Sequence, residues 1–416
     1  MYVGGDFIQK FERISGRDFD NCNNFNATGN HIVVFNGTTK QRISFDTPIG
    51  FNGLCGSGFA NVTFNNSNIE LESGIRGFTL NEDISLTINT EEFGIYGNIL
   101  DLNNHLIGNE LKVTKDNFTY TTGELNLSGN TLNIAKNMVQ NGGKIDLDGG
   151  NINIGQDLTQ NYGKLDLHRG KLAVKGNVSQ NGEIYVNAGQ LHIEKNYYIV
   201  GNCEIEDDGT ETIAQGSGSL KMIKEADIVK VAGKFLMYSK VAHTDLLTNG
   251  VMYIEGDFEQ KSEYWTGNKS NFNATKENKI VFDGIKKQKI KFETPSSSGF
   301  ANVVFDNPDI ELESGIRGFT LNQDISLSIS AEQFGVYDAI LDLNHHLIGN
   351  ELKVSSDNFT YTTGEMNLSG NVMKIKKDMV QNGGKIDLNG GKISIGQDMI
   401  QKTIQDSGNL DLHGGT

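Results

Sequence analysis

Between Gly123 and Val200, apolar and polar residues alternate in short runs that return in step about every 20 residues. The lines begin at Gly123, Gly143, Gly163 and Gly182 and share one grammar: Ile145 and Leu147, then Ile152 and Ile154, then Leu158. Alternation at period two predicts strands with one buried face. The Gly, Asn and Asp residues between the runs accept the positive φ of a sharp corner. Three short strands and three corners in about 20 residues make one coil of a parallel β-helix. A single coil cannot bury its own inner face, so stability must come from stacking on neighbours.

Composition agrees with that reading. Fifty Gly, 3 Pro and 8% aromatic residues suit many tight corners around a thin aliphatic core, and long amphipathic helices are hard to find. At about 20 residues per coil the 416 residues predict roughly 20 coils. The net charge of −16 opposes phosphate backbones and anionic lipid, which argues against nucleic acid and acidic membrane surfaces as partners. Cys22, Cys55 and Cys203 are an odd set without C-x-x-C spacing, a poor start for a disulfide framework or a zinc site; a local Cys22–Cys55 bridge is the arrangement left open. No apolar run is long enough to span a bilayer, and Met1 leads straight into a strand pattern without a basic and apolar leader.

A longer repeat overlies the short one. Met1-Tyr-Val-Gly-Gly-Asp-Phe-Ile-Gln returns as Met252-Tyr-Ile-Glu-Gly-Asp-Phe-Glu-Gln, and Leu71-Glu-Ser-Gly-Ile-Arg-Gly-Phe-Thr-Leu-Asn returns unchanged from Leu312. From Gly58 the register holds until Gln160 meets Gln401. Residues 1–251 therefore form a first long unit, and 252–416 a second, incomplete unit continuous with it. Segments around 15–30 and 46–58 read as loops leaving the coil. Residues 203–250 depart most from the rule, with Ser239 to Asn249 expected as a helical turn or a loop. Both ends fall inside a coil, so the chain is expected to be a segment of something longer, with flanking coils.

The run Phe272-Asn-Ala-Thr, Lys279-Ile-Val-Phe-Asp-Gly, Lys287-Gln-Lys-Ile-Lys-Phe, Phe300-Ala-Asn-Val-Val-Phe and the recurring Gly-Asp-Phe-x-Gln resembles the β-helical repeats of large extracellular proteins of Gram-positive bacteria. The 20-residue lines are similar in architecture to filamentous-haemagglutinin-type adhesins. The resemblance implies a secreted or surface rod, adhesive or scaffolding, whose partner is a host or cell-surface glycan or protein. Repetitive motifs of this kind specify a fold better than a function.

In such a fold chemistry is read down columns. Gln140, Gln160 and Gln180, with Gln9, Gln260, Gln381 and Gln401 in equivalent places, form an amide column expected to bond along the axis. Asn137, Asp157, Asn177 and Asn196 form a corner column. Asn126, Asp146, Asp166 and Tyr185 place two carboxylates about 5 Å apart on one face. Lys144 and Lys164 offset their repulsion, and a bridging calcium ion is the sharper alternative.

A catalytic reading gathers Asp101, His105, Glu110, Glu72 and Arg76, repeated as Asp342, His346, Glu351, Glu313 and Arg317. Duplication counts against it, because two complete catalytic sites on one rod are unusual. No nucleophile-elbow, zincin or P-loop pattern is present. Tyr264 and Trp265 in an irregular loop are candidate surface contacts, as are Asp146 and Asp166. The expected fold is all-β, a right-handed parallel β-helix (β-solenoid) with about 20 residues per coil, the hand coming from the resemblance and the general preference for right-handed crossovers. The expected function is a non-catalytic structural or adhesive stalk without cofactor, inserted in no membrane; the rivals are a carbohydrate-active β-helix and a mechanical spacer for a distant effector domain.

Overall fold

The computed structural model describes residues 1–11, 24–48, 56–105, 111–205, 211–262, 269–346, 351–402 and 408–416. Cys22, Cys55, Glu110, Tyr264 and Trp265 lie outside the described residues, and Cys203 is a free thiol. The chain divides into two compact units, Met1–Ile193 and Glu194–Thr416. Both are all-β, with no helix among the described residues. Each stacks its coils as a parallel β-solenoid. Counted over both units there are about 15 turns of about 21 residues, fewer than the roughly 20 that the 20-residue period implies, because part of the chain is spent outside the coils.

In the first unit the three strand columns expected from the pattern form in register. Leu132 pairs with Ile152, Ile152 with Leu172 and Leu172 with Leu191 in one column. Gln140, Gln160 and Gln180 line up in the second, and Ile145, Leu165 and Ile184 in the third. Register is this strict because slipping by one residue would turn the buried row outward. Leu132, Ile145, Leu147, Ile152, Leu165 and Leu172 are all fully buried, each stabilising the stack by about 1.5–3 kcal/mol relative to exposure.

One corner shows how the sequence makes the chain turn. At 128–129, 148–149, 168–169 and 187–188 two consecutive residues have positive φ, as in Asp148 (41°) and Gly149 (82°). The turn closes when Asn130 N–H donates to Leu127 O at 2.9 Å, and Gly150 N–H to Leu147 O at 2.7 Å, the geometry of a type I′ turn. In two lines the first left-handed amide is held from within: Asn126 Oδ1 accepts from Ser128 N at 2.8 Å and Asp146 Oδ1 from Asp148 N at 3.1 Å. His168, Arg169, Asn187 and Ala188 occupy the same conformation without glycine, a local strain that stacking must outweigh.

The second unit repeats the scheme with a more aromatic core. Val251–Ile254, Lys279–Phe282 and Asn302–Phe305 pair in parallel. Phe258 lies 4.8 Å from Phe272 and 5.0 Å from both Phe292 and Phe300, edge-on or tilted. Phe7, Phe25, Phe45 and Phe59 make the matching cluster in the first unit.

Two features of the second unit break the pattern. Asn202–Ile205 and Glu211–Ala214 form an antiparallel hairpin, whose Cys203 and Ile213 cover an outward patch of Tyr198, Val200 and Leu236. Glu211 fastens it, accepting from Tyr198 Oη at 2.8 Å and Lys234 Nζ at 2.9 Å. The segment expected as a helical turn or loop is a loop with turns that folds around His243, a fully buried residue.

Candidate functional site

The residues singled out from sequence are largely absorbed by the architecture. Asp146 and Asp166 stand opposite each other in register, with side chains 13% and 11% exposed. Asp146 holds its corner amide and lies 3.2 Å from His168 Nδ1 and 3.3 Å from Lys144 Nζ. Asp166 accepts from Asn187 Nδ2 at 2.9 Å and sits 3.6 Å from Lys164. The Lys144 pKa is raised: partial burial works against its charge, and Glu124 at 2.7 Å together with Asp146 outweighs that. Among the described residues no group of three His, Cys, Asp or Glu is placed to hold a metal ion.

The corner column bonds along the stack, and the amide column does so in part: Gln160 Oε1 has no hydrogen-bond partner among the described residues, and Gln180 Nε2 donates to Gly182 O at 3.0 Å instead. Gln160 Nε2 donates to Gln140 Oε1, and Gln401 to Gln381, both at 3.0 Å. Gln9 and Gln260 instead tie loops to the coil through Asn24 and Asn271, each at 2.8 Å. Asn137 Oδ1 accepts from Asp157 N at 3.0 Å and Asp157 Oδ1 from Asn177 N at 2.6 Å.

The catalytic set is dispersed into separate structural tasks, the same ones in both copies. Asp101 Oδ1 accepts from Asn103 N at 2.8 Å and Ser128 Oγ at 2.9 Å; Asp342 does so from Asn344 at 2.9 Å and Ser369 at 2.8 Å. His105 pairs with Asp83 at 3.2 Å and His346 with Asp324 at 3.1 Å. Arg76 is a staple, donating to Ala27 O at 3.1 Å and Asn26 Oδ1 at 2.8 Å, as Arg317 does to Ala274 O at 3.1 Å and Asn273 Oδ1 at 2.7 Å. Glu72 faces Arg42 at 3.7 Å, Glu313 faces Lys289 at 2.8 Å and Glu351 faces Lys374 at 3.7 Å.

What the pattern did not single out is a cleft. It has a volume of about 630 Å³ and lies beside Phe78, between Ala60–Val62, Gly77–Thr79 and Gly97–Asp101. Three successive turns of chain build it. Asp101 N–H donates to Phe78 O and Leu80 N–H to Asp101 O, both at 2.9 Å. Gly77 is required by close approach, since a Cβ there would meet the Asn98 carbonyl at 2.4 Å. Gly97, at φ 79°, leaves the wall open.

Phe78 is half-buried, edge-on to Phe64 at 5.3 Å, and Ile99 is 44% exposed. Asn61 donates through Nδ2 to Gly29 O at 3.1 Å and His31 O at 3.2 Å, so its amide plane is set while its Oδ1 faces no protein donor among the described residues. Asn98 makes one long bond, 3.5 Å, to Gly77 O. The lining has one carboxylate, Asp101, and no cation.

The counterpart in the second unit is lined by Phe300–Val303 and Arg317–Thr320, with Phe319 edge-on to Phe305 at 5.2 Å, and holds only about 200 Å³. There Asp338 and Ala339 stand where the first copy has Gly97 and Asn98. Asp338 keeps the left-handed backbone, φ 63°, and its carboxylate lies 3.3 Å from Arg317 Nε. Another cleft of this unit, about 660 Å³ around Glu225, Glu277, Lys279 and Asn302, mixes both charges and has no aromatic wall.

The unchanged run from Leu71 to Asn81 was the available signal for the cleft, since it carries Gly77, Phe78 and Thr79 together. No protein-family model matches the chain, and neither the curated proteins nor the solved structures contain a match.

Proposed function

We propose that the chain is a non-catalytic structural or adhesive stalk of a bacterial extracellular or surface protein. The observation that carries this reading is the fate of the chemistry-bearing residues. Asp101, His105, Arg76 and their second-copy equivalents are engaged in corner, ion-pair and staple contacts, and the same contacts recur in both copies. Residues copied together with their structural partners are what duplication of a scaffold leaves behind, whereas a catalytic centre needs its acid, base and binding groups around one reacting atom. The acidic balance supports partners other than nucleic acid. No helix among the described residues is long and apolar enough to cross a membrane.

The competing reading is a carbohydrate-active β-helix, and the cleft beside Phe78 is the feature that favours it. Incubation with neutral and acidic polysaccharides separates the two: the stalk reading expects no new reducing ends and no unsaturated products. Turnover that disappears on replacing Asp101 or His105 would sink it. A purely mechanical spacer predicts that the isolated segment binds neither glycan nor protein.

A further inference from the structure

We propose that the cleft formed by Asn61, Phe78, Thr79, Asn98 and Asp101 binds a neutral saccharide, and that its counterpart in the second copy is closed to the same ligand by Asp338. The inference rests on the adhesive form of the reading above and names its ligand class. Three observations carry it.

First, the wall chemistry matches a sugar. The half-buried ring of Phe78 and the exposed Ile99 offer an apolar floor, suited to the C–H face of a pyranose. Asn61, Thr79, Asn98 and Asp101 share the lining, with Asn61 Oδ1 unclaimed by protein donors among the described residues and Asp101 Oδ1 already engaged by Asn103 N and Ser128 Oγ. Sugar hydroxyls both donate and accept, and amides and hydroxyls do the same. A few convergent polar groups on a partly apolar surface are how small-ligand clefts fix orientation.

Second, charge selects within that class. No ammonium or guanidinium group is among the lining residues; the guanidinium beside the Gly97 wall, that of Arg76, is spent on Ala27 O and Asn26 Oδ1, and the chain carries −16 overall. Acidic glycans and phosphates are therefore repelled rather than held.

Third, the groups come from successive turns about 4.8 Å apart, close to the advance of one hexose in an extended β-linked chain. Consecutive coils thus present polar groups at the spacing of consecutive rings.

The second copy supplies an internal control. It keeps the asparagine at 302, the ring of Phe319 and the hydroxyl of Thr320. Asp338 replaces Gly97, turns its carboxylate to Arg317 at 3.3 Å, and the volume falls from about 630 to about 200 Å³. Aspartate at the left-handed position is compatible with the fold, as Asp338 demonstrates. Gly97→Asp is therefore a fold-preserving way to close the first cleft. A Cβ at position 97 meets only Arg76, at 3.7 Å or more.

The test titrates the intact chain by calorimetry with β-linked oligomers of glucose, galactose and N-acetylglucosamine, and with oligogalacturonate as the acidic control. One neutral series is expected to bind with one site per chain and the acidic control not at all. Gly97→Asp should weaken binding by about tenfold or more with an unchanged thermal unfolding midpoint. Asp338→Gly combined with Ala339→Asn should raise the stoichiometry toward two. Failure of every neutral series to saturate at about millimolar ligand, preference for the acidic oligomer, or unaltered affinity in Gly97→Asp would each overturn the proposal. New reducing ends in the same mixtures would remove the non-catalytic reading while supporting saccharide recognition at this cleft. Silence in both assays would remove the cleft proposal and leave the structural stalk standing.

Discussion

The clefts beside Phe78 and Phe319 begin with the same eleven residues, Leu71 to Asn81 and Leu312 to Asn322, and end with different volumes. Everything that builds the coil is shared: the arginine staple, the corner aspartate, the edge-on phenylalanine pair. The difference is on the open wall, where Gly97-Asn98 stands against Asp338-Ala339. A β-solenoid tolerates such a change because each outward residue touches only its neighbours along the stack. The core positions have no such freedom. Comparing the two copies therefore separates residues that hold the coil from residues that decorate it.

The largest expected effect tests the shared part. Ile145 and Ile386 are equivalent and fully buried. A carboxylate at either position would sit in an aliphatic column without a partner, so Ile145→Asp and Ile386→Asp should each destabilise by more than about 4 kcal/mol. Urea unfolding followed by circular dichroism checks this, and a loss confined to one copy would break the equivalence.

A smaller effect distinguishes the second unit. His243 is fully buried there, accepting from Leu220 N at 3.1 Å through Nε2 and facing Val241 O at 3.0 Å through Nδ1. Burial pulls its pKa down from 6.5 to about 4. The unfolded chain then binds more protons than the folded one between those values. Stability conferred by the neutral ring is complete above about pH 6.5 and is lost as the pH falls toward about 4, in total about 3 kcal/mol. Hydrogen exchange of residues 194–416 should accelerate over that window, and His243→Gln should flatten the response. An unchanged acid limb in the variant would assign the lability elsewhere.

The smallest effects belong to the corner. Asp146→Asn should change stability by less than about 1 kcal/mol, because Asn126 and Asn367 hold the same corner amide at 2.8 and 2.9 Å. Lys144→Met, which removes half-exposed pairs to Glu124 and Asp146, should lower stability by less than about 1 kcal/mol, and by less still at high salt. Thermal unfolding at two salt concentrations measures both variants. A large loss in Asp146→Asn would mean the carboxylate charge, rather than its oxygen geometry, is what the corner needs.

The fold was legible because its determinants are local and repeated. Ile145, Ile152 and Leu158 announce strands by alternation, and Asp148-Gly149 announces the corner by its tolerance of positive φ. Stacking then follows, since the pattern offers no other way to bury three narrow stripes. The columns of Gln140, Gln160 and Gln180 were equally readable, because register turns sequence period directly into neighbourhood. Irregular stretches were not. Tyr197-Tyr198-Ile199 and Phe235-Leu236-Met237 are apolar at every position, a sign of a second covering layer, but the hairpin that covers them lies in a segment with no repeat to compare.

The cleft lay further out of reach. Asn61, Phe78 and Asn98 belong to turns of unequal length, so no fixed spacing brings them into one column, and the residues that looked chemical, Arg76 and Asp101, turned out to hold the walls in place. By itself the sequence determined the all-β solenoid, its inward rows and its corners, because hydrophobic alternation and backbone φ preferences act within a few residues. Tertiary structure alone decided that the first copy leaves a cleft of about 630 Å³ beside Phe78 while its counterpart beside Phe319 holds about 200 Å³, and that His243 is fully buried. Those outcomes depend on which outward side chains meet across coils, a distance that only the stacked chain defines.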